Sequence, residues 1–225
     1  MLKIGLVVAD GDEYKPVAAL KDAVPYTEFF RTGHCFRAGE AQVTALLCGI
    51  GKVNAAAAAM HLADIGCDVI VNFGLSGGIS GVKRGDLCVP ERFLEHDFDL
   101  TGIGYAPCEK PGQKYIYQAD ERLLALVKSL FDDVKTGTAV TGDRFVCSAK
   151  ERDFLCTEFD AVSCDMESAA VAYVCDMSGI PFIALRRISD DAGADAKEDY
   201  REMNTADQTE LFDAVLKLIE KILAT

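Results

Sequence analysis

The chain has 225 residues, half of them hydrophobic and 26% charged, a composition that supports a full globular core and excludes a disordered or membrane-embedded chain. Its formal net charge of −13 repels phosphate backbones and anionic lipid, which argues against nucleic acid or a membrane surface as the main partner. Nine cysteines, with no C-x-x-C pair and no zinc-ligand spacing, predict free thiols in a reducing cytoplasm and no metal site.

Residues 2–9 are nearly all apolar and predict a strand buried on both faces. The run stops at Asp10, too short for a signal peptide or a membrane span. Asp10, Gly11, Asp12 and Glu13 follow at a strand-to-helix junction, where acids serve either as caps or as reacting carboxylates. Residues 41–48, 68–73 and 181–185 also have strand character. Between the first two of these lies KVNAAAAAMHLADIG, an alanine-rich helix ending at Gly66. Strand, helix, strand in that order predicts a crossover between parallel neighbours.

The third strand runs into NFGLSGG (72–78), where glycines serve a positive-φ turn or a close backbone approach to a ligand. It is neither a dinucleotide fingerprint nor a serine-hydrolase elbow, and GIGK (49–52) lacks P-loop spacing. Residues 86–98 predict one bent strand, 120–131 an amphipathic helix, 138–140 a short strand and 148–157 a helix capped by Ser148. Asp165, Met166 and Glu167 open a further helix running to 178, and 205–223 closes the chain as a helix with an apolar stripe. Residues 102–118 and the acidic 191–204 carry no regular pattern. The sum is a single-domain α/β fold over 1–225, with a mixed, mostly parallel central sheet flanked by helices.

In such folds ligands collect at the carboxyl ends of the strands. There stand the Asp10–Glu13 acids, the glycine segment, Glu167, and the Arg186-Arg187-Ile188-Ser189-Asp190-Asp191 end of the 181–185 strand. An arginine and an acid at the mouth of a buried strand are paired or used. His34 and His61 fit structural roles, and His96 fits a loop-orienting one. Carboxylates, an arginine and a glycine segment converging on one sheet edge suit acid and base cleavage of a glycosidic bond, without demanding it.

The segments KIGLVVADGDE, GIGKVNAAAA, NFGLSGG, HDFDLTGIGY, TGDRFV, DMESAAVAYVC and RRISDDA, in this order, resemble the 5′-methylthioadenosine/S-adenosylhomocysteine nucleosidases of the nucleoside phosphorylase superfamily. The resemblance spans essentially the whole chain and implies hydrolysis of 5′-thio-substituted adenosines without a cofactor. It implies that Glu13 activates water and that Asp190, beside Ser189, protonates N7 of the departing adenine. Glu167 holds the ribose hydroxyls with Met166 against the sugar, and Arg186 lies near the catalytic water. Phe145 stacks on the base, the backbone of Val146 reads its edge, and Ser76 and Gly77 face the substrate. Ile50, Leu100, Ile103 and Tyr200 line the 5′-pocket, and the family's homodimer has Leu100 and Ile103 reaching across to the neighbouring chain. Leu75, Asp10, Asp12 and Arg187 depart from the family pattern. A phosphorolytic enzyme of the same superfamily is the alternative. Its phosphate would need cations such as Arg31, Arg37, Arg84 or Arg144. A nucleoside-binding protein without catalysis is the third possibility.

Overall fold

The structure is a computed structural model that describes residues 1–28 and 32–225. Strand β1 (Lys3–Val8) runs parallel to both β4 (Ala41–Leu47) and β5 (Val69–Gly78) and lies between them. The two strands joined by the alanine-rich helix α2 (Lys52–Asp64) therefore flank β1 instead of pairing with each other. β1 takes the central place because both of its faces are apolar. Ile4, Leu6 and Val8 enter one core with α7 (Thr209–Leu223), while Val7 enters another with α2. The small side chains Ala55, Ala58 and Ala59 are fully buried. At Gly5 an added Cβ would lie 2.9 Å from Leu62 Cδ1, so a side chain there would displace α2.

A hairpin of β2 (Val24–Tyr26) and β3 (Gly33–Ala38) extends the sheet antiparallel beyond β4. On the other side β11 (Phe182–Asp190) runs parallel along β5, and β10 (Ala161–Asp165) meets the end of β5 antiparallel at Gly77 and Gly78. β9 (Thr138–Thr141) and β7 (Arg92–Glu95) continue the sheet in parallel from β10. The remaining helices are α1 (Gly11–Ala18), α3 (Glu121–Leu130), α4 (Ala149–Phe159), α5 (Ser168–Ser178) and α6 (Ala196–Thr205). The fold is α/β with a mixed central sheet flanked by helices, as the sequence indicates.

Four local expectations need correction. The 72–78 segment is no turn. It is the second half of β5, and none of Gly74, Gly77 and Gly78 has positive φ. Residues 86–98 are two strands, β6 (Leu87–Cys88) and β7, parted at Pro90, which has no N–H for a ladder. The acidic 191–204 stretch contains α6, whose Glu198 and Asp199 favour a helix N-terminus and whose Ala196 and Met203 are buried; α7 accordingly begins at Thr209 and not at 205. Ser148 stands at the start of α4 without a side-chain cap bond, whereas Asp120 caps α3 by accepting from the Leu123 amide at 2.9 Å.

Register fixes the site. β5 and β11 pair Arg186 with Gly74 and Ile188 with Ser76, and then Asp190 with Gly77. Two steps along β11 thus match one along β5, a bulge at Ser189.

Candidate active site

Two residues after the end of β1 stands Asp10, whose Oδ1 accepts from the Asp12 amide at 2.8 Å and starts α1. The capping role foreseen for these acids falls to Asp10, which leaves Glu13 free to turn inward. Glu13 is buried, and its Oε1 accepts from the Leu75 amide at 2.7 Å. A Cβ on Gly74 would lie 2.6 Å from Glu13 Oε2 and 3.0 Å from Arg186 Nη1. The glycine in mid-strand is therefore there for close approach. Burial pushes the Glu13 carboxyl up to about 8, against the opposing pull of the Leu75 amide and Arg186.

Arg186 is 1% exposed and is the largest fully enclosed side chain. Its guanidinium donates to Asn72 Oδ1, lies 3.2 Å from Asp165 Oδ2 and 3.9 Å from Glu167 Oε2. Asp165 supplies the cap expected at this helix start, with Oδ1 accepting from Thr141 Oγ1 and from the amides of Glu167 and Ser168. Despite its burial, Arg186 and these donors hold the Asp165 carboxyl below the usual range. Glu167 is then free to reach the start of α2, where its Oε1 accepts from the Gly51 amide at 2.9 Å. Burial pushes Glu167 up to about 7, with Arg186 opposing.

At the end of β11, Asp190 is 2% exposed. Its Oδ1 accepts from the Ala192 amide at 2.8 Å and its Oδ2 from Ser189 Oγ at 2.6 Å. Burial raises its pKa, while the Ser189 and Ala192 bonds work the other way. Ser189 thus steadies the charged form, contrary to a simple additive effect of burial beside it. Ser189 Oγ also lies 3.2 Å from the Ser76 carbonyl, so a protonated Asp190 can donate to Ser189 while Ser189 donates onward.

These groups surround one cavity of about 460 Å³. Among the described residues its acids are Asp10, Glu13, Asp143, Asp165, Glu167 and Asp190; Arg144 is the one lining cation among them, and that side chain is paired with Glu151. Phe145, Val146 and Tyr200 form an aromatic and apolar wall, with Phe145 and Tyr200 edge-to-face at 5.4 Å. Burial and the neighbouring acids push the Tyr200 phenol up. Ile50, Leu75, Ser76, Gly77, Cys164, Met166 and Ser189 complete the lining, with Ala9.

The family model of the phosphorylase superfamily matches residues 3–224. A 5′-methylthioadenosine/S-adenosylhomocysteine nucleosidase from Exiguobacterium is 35% identical over 81% of this chain and 83% of its own. One from Geobacillus is 30% identical over 98% and 99%. The chain belongs to the 5′-methylthioadenosine/S-adenosylhomocysteine nucleosidase family of the phosphorylase superfamily. The Streptococcus pyogenes S-adenosylhomocysteine nucleosidase, solved with 5-methylthiotubericidin, superposes with a TM-score of 0.90 at 29% identity, over 97% of this chain and 96% of that one.

Most positions that the nucleosidase resemblance implies do meet in the cavity: Glu13, Ile50, Ser76, Gly77, Phe145, Val146, Met166, Glu167, Ser189, Asp190 and Tyr200. Arg186 is not on its wall but behind it. The guanidinium lies against the carboxylates of Asp165 and Glu167 and does not line the cavity. Leu100 and Ile103 stand at a 3₁₀ turn, Thr101–Ile103, away from the cavity, and Ile103 is exposed. Asp143 and Cys164 line the nucleosidase cavity and are not among the residues that the sequence singles out, and Asp165, which the sequence offers as a cap or a site acid, lines it too. The DME and TGD segments were visible, but an acid before a helix or in a turn has ordinary capping roles that sequence alone does not separate from site roles. His34 and His61 prove structural, bonded to the hydroxyls of Tyr14 at 3.0 Å and Tyr26 at 2.8 Å.

Proposed function

We propose that this chain hydrolyses the N-glycosidic bond of 5′-thio-substituted adenosines, 5′-methylthioadenosine and S-adenosylhomocysteine, releasing adenine and the thioribose. The observation that carries the reading is a cavity with buried Glu13, Glu167 and Asp190 among its lining acids, and, among the described residues, a single lining cation that is already paired. Bond cleavage passes through an oxocarbenium-like state, which an acidic enclosure stabilises.

In this scheme the C1′–N9 bond breaks with its electron pair leaving on adenine. Asp190 delivers a proton to N7, Glu13 takes a proton from the water whose oxygen bonds to C1′, and the charges balance. Glu167 holds the ribose hydroxyls and stabilises the developing positive charge, with Met166 against the sugar. Phe145 stacks on the base and the Val146 backbone meets its edge, while Ile50 and Tyr200 border the 5′-substituent. Arg186 holds Glu167 and Asp165 in place and tempers the burial of Glu13.

Water is favoured over phosphate as nucleophile. Arg37 pairs with Glu40, Arg84 with Asp199 and Glu202, and Arg144 with Glu151. Arg31 lies outside the described residues. A phosphate entering the cavity would meet six acidic side chains.

The same reading makes the enzyme a cytoplasmic homodimer. Val53 and Met60 on α2 and Met177 on α5 are exposed, the two helices pack on each other, and Ile103 is exposed as well. These exposed apolar side chains suit contact with a second copy, whose Leu100 and Ile103 would close the 5′-pocket. Among the described residues no helix is long and apolar enough to cross a membrane.

The deciding experiment is adenine release from 5′-methylthioadenosine by the purified protein, with and without phosphate. Release without phosphate, yielding free methylthioribose, supports the reading. Release that requires phosphate moves the assignment to phosphorolysis, and binding without release in either condition moves it to a nucleoside-binding protein.

A further inference from the structure

Three of the segments that carry the family resemblance, 49–58, 96–105 and 141–146, meet at one point outside the reacting groups. The Lys52 amide donates to Asp143 Oδ1 at 2.8 Å. The Asp143 amide donates to Asp97 Oδ2 at 2.9 Å, and Asp97 Oδ1 lies 2.5 Å from Lys52 Nζ. The three residues close a ring in which each is bonded to the other two. Lys52 Nζ is also 3.2 Å from Glu95 Oε2, whose other oxygen meets Lys110 Nζ at 2.6 Å.

This ring is not a loose surface pair. The Lys52 and Asp97 side chains are 18% and 22% exposed, and two of the three bonds use backbone amides, which cost no side-chain freedom on the donor side. Gly51 has φ of +101°, and a Cβ there would lie 3.0 Å from Asp143 Oδ1, so the approach of Asp143 to the start of α2 needs a glycine. Although burial works against it, the bonds from Lys52 and the Asp143 amide hold the Asp97 carboxyl below its ordinary pKa.

What the ring joins is informative. Asp143 and the three residues after it form one wall of the cavity. One residue before Lys52, the Gly51 amide holds Glu167 Oε1 at 2.9 Å. Successive amides at the start of α2 therefore grip the base-side wall and the ribose-side carboxylate. Asp97 and Lys52 do not line the cavity themselves.

We propose that Asp97 and Lys52 are positioning residues, a clamp that fixes the 143–146 wall relative to Glu167 and so sets the distance between base and ribose subsites. The clamp rests on the function proposed above. Removing Asp97 frees the Asp143 amide, leaves the Lys52 ammonium to Glu95 alone and lets the wall drift, while Glu13 and Asp190 keep their own hydrogen bonds on other elements.

The test compares Asp97→Ala, Asp97→Asn and Lys52→Met with Lys128→Met, which removes an exposed pair to Glu91 remote from the cavity. Each is measured for kcat and KM on 5′-methylthioadenosine, for adenine affinity by calorimetry and for melting temperature. Asp97→Ala is expected to raise KM and weaken adenine binding by about tenfold, with a smaller fall in kcat, as misplacement of a binding wall predicts. Asp97→Asn, which keeps an acceptor for the Asp143 amide, should recover part of the loss. The Asp97→Ala/Lys52→Met double variant should be no worse than the poorer single one, since both break the same ring. KM and adenine affinity of Asp97→Ala equal to those of Lys128→Met, or effects of Asp97→Ala and Lys52→Met that multiply, would overturn the clamp. If Asp97→Ala does not fold, Asp97→Asn carries the same comparison. Wild-type protein that binds adenine but releases none from substrate would refute the proposed reaction, and the adenine arm would still decide the clamp.

Discussion

The amide of Leu75, in the middle of a buried strand, donates to Glu13 Oε1 at 2.7 Å across 62 positions of sequence. That single bond orients a carboxylate whose second oxygen, Oε2, has no partner within the described residues. Oε2 is thus the oxygen left to take a proton. Glu13→Gln keeps the shape and removes the base, so turnover should fall by about 10²–10⁴-fold. Adenine release by a protein with unchanged circular dichroism checks it; near-normal turnover would remove Glu13 from the mechanism.

The raised pKa values of Glu13, about 8, and Glu167, about 7, set the pH dependence. A base must be deprotonated to act, so kcat/KM should climb with pH towards about 8. Stability should run the opposite way. Both folded-state values lie above the ordinary 4.5, so their contribution is complete below that pH and is lost as pH rises through about 7 and 8. Urea unfolding followed by circular dichroism, which suits a chain without tryptophan, should show the midpoint falling between pH 5 and 9. At the alkaline end Glu13→Gln should be more stable than wild type by on the order of a few kcal/mol.

Asp190→Asn removes the proton donor and keeps the oxygen that accepts from the Ala192 amide, while its Nδ2 can donate to Ser189 Oγ in place of accepting from it. The expected outcome is loss of turnover by about 10²–10⁴-fold with substrate binding retained. Calorimetric titration with 5′-methylthioadenosine separates the two effects. Loss of binding together with turnover would make Asp190 a substrate-holding group and not the acid.

Arg186→Met should damage the protein more broadly. It leaves Asp165 buried without its cation and frees Asn72 Oδ1, and breaking a buried pair costs about 3–5 kcal/mol. For a chain of this size that corresponds to a melting temperature lower by roughly 10 °C. A melting temperature within a degree or two of wild type would show that Arg186 is not the structural keystone of the carboxylate group.

Gly74→Ala tests the strand's close approach. The new methyl would lie 2.6 Å from Glu13 Oε2, and a displacement of that order is expected to lower kcat/KM by about 10²-fold. Gly11→Ala is the comparison, because nothing lies within 4 Å of a Cβ there.

The long elements were legible because their patterns are simple. The alternation in β1 sends Ile4, Leu6 and Val8 to one core and Val7 to the other, and the alanine run could hardly be anything but α2. The reacting acids were legible through the resemblance, since composition alone leaves Glu13 and Asp10 equivalent. Only the structure separates them: Asp10 spends its carboxylate on a cap, and Glu13 does not. α6 was missed because its polar sequence has only Ala196 and Met203 to bury, too sparse a stripe to reveal a helix. The 72–78 segment stays open between a turn and a close approach in the sequence because glycine signals both, and here crowding by Glu13, Cys164 and Asp190 is the cause.

The bulge at Ser189 gives the strand end an extra residue between Ile188 and Asp190 relative to its neighbour. Side chains alternate along a strand, so the face on which Asp190 emerges depends on that count. Deleting Ser189, the one residue between Ile188 and Asp190, would change that count, and with it the place of Asp190, and would remove a cavity-lining hydroxyl. Along this stretch the site is therefore written in chain length as much as in residue type.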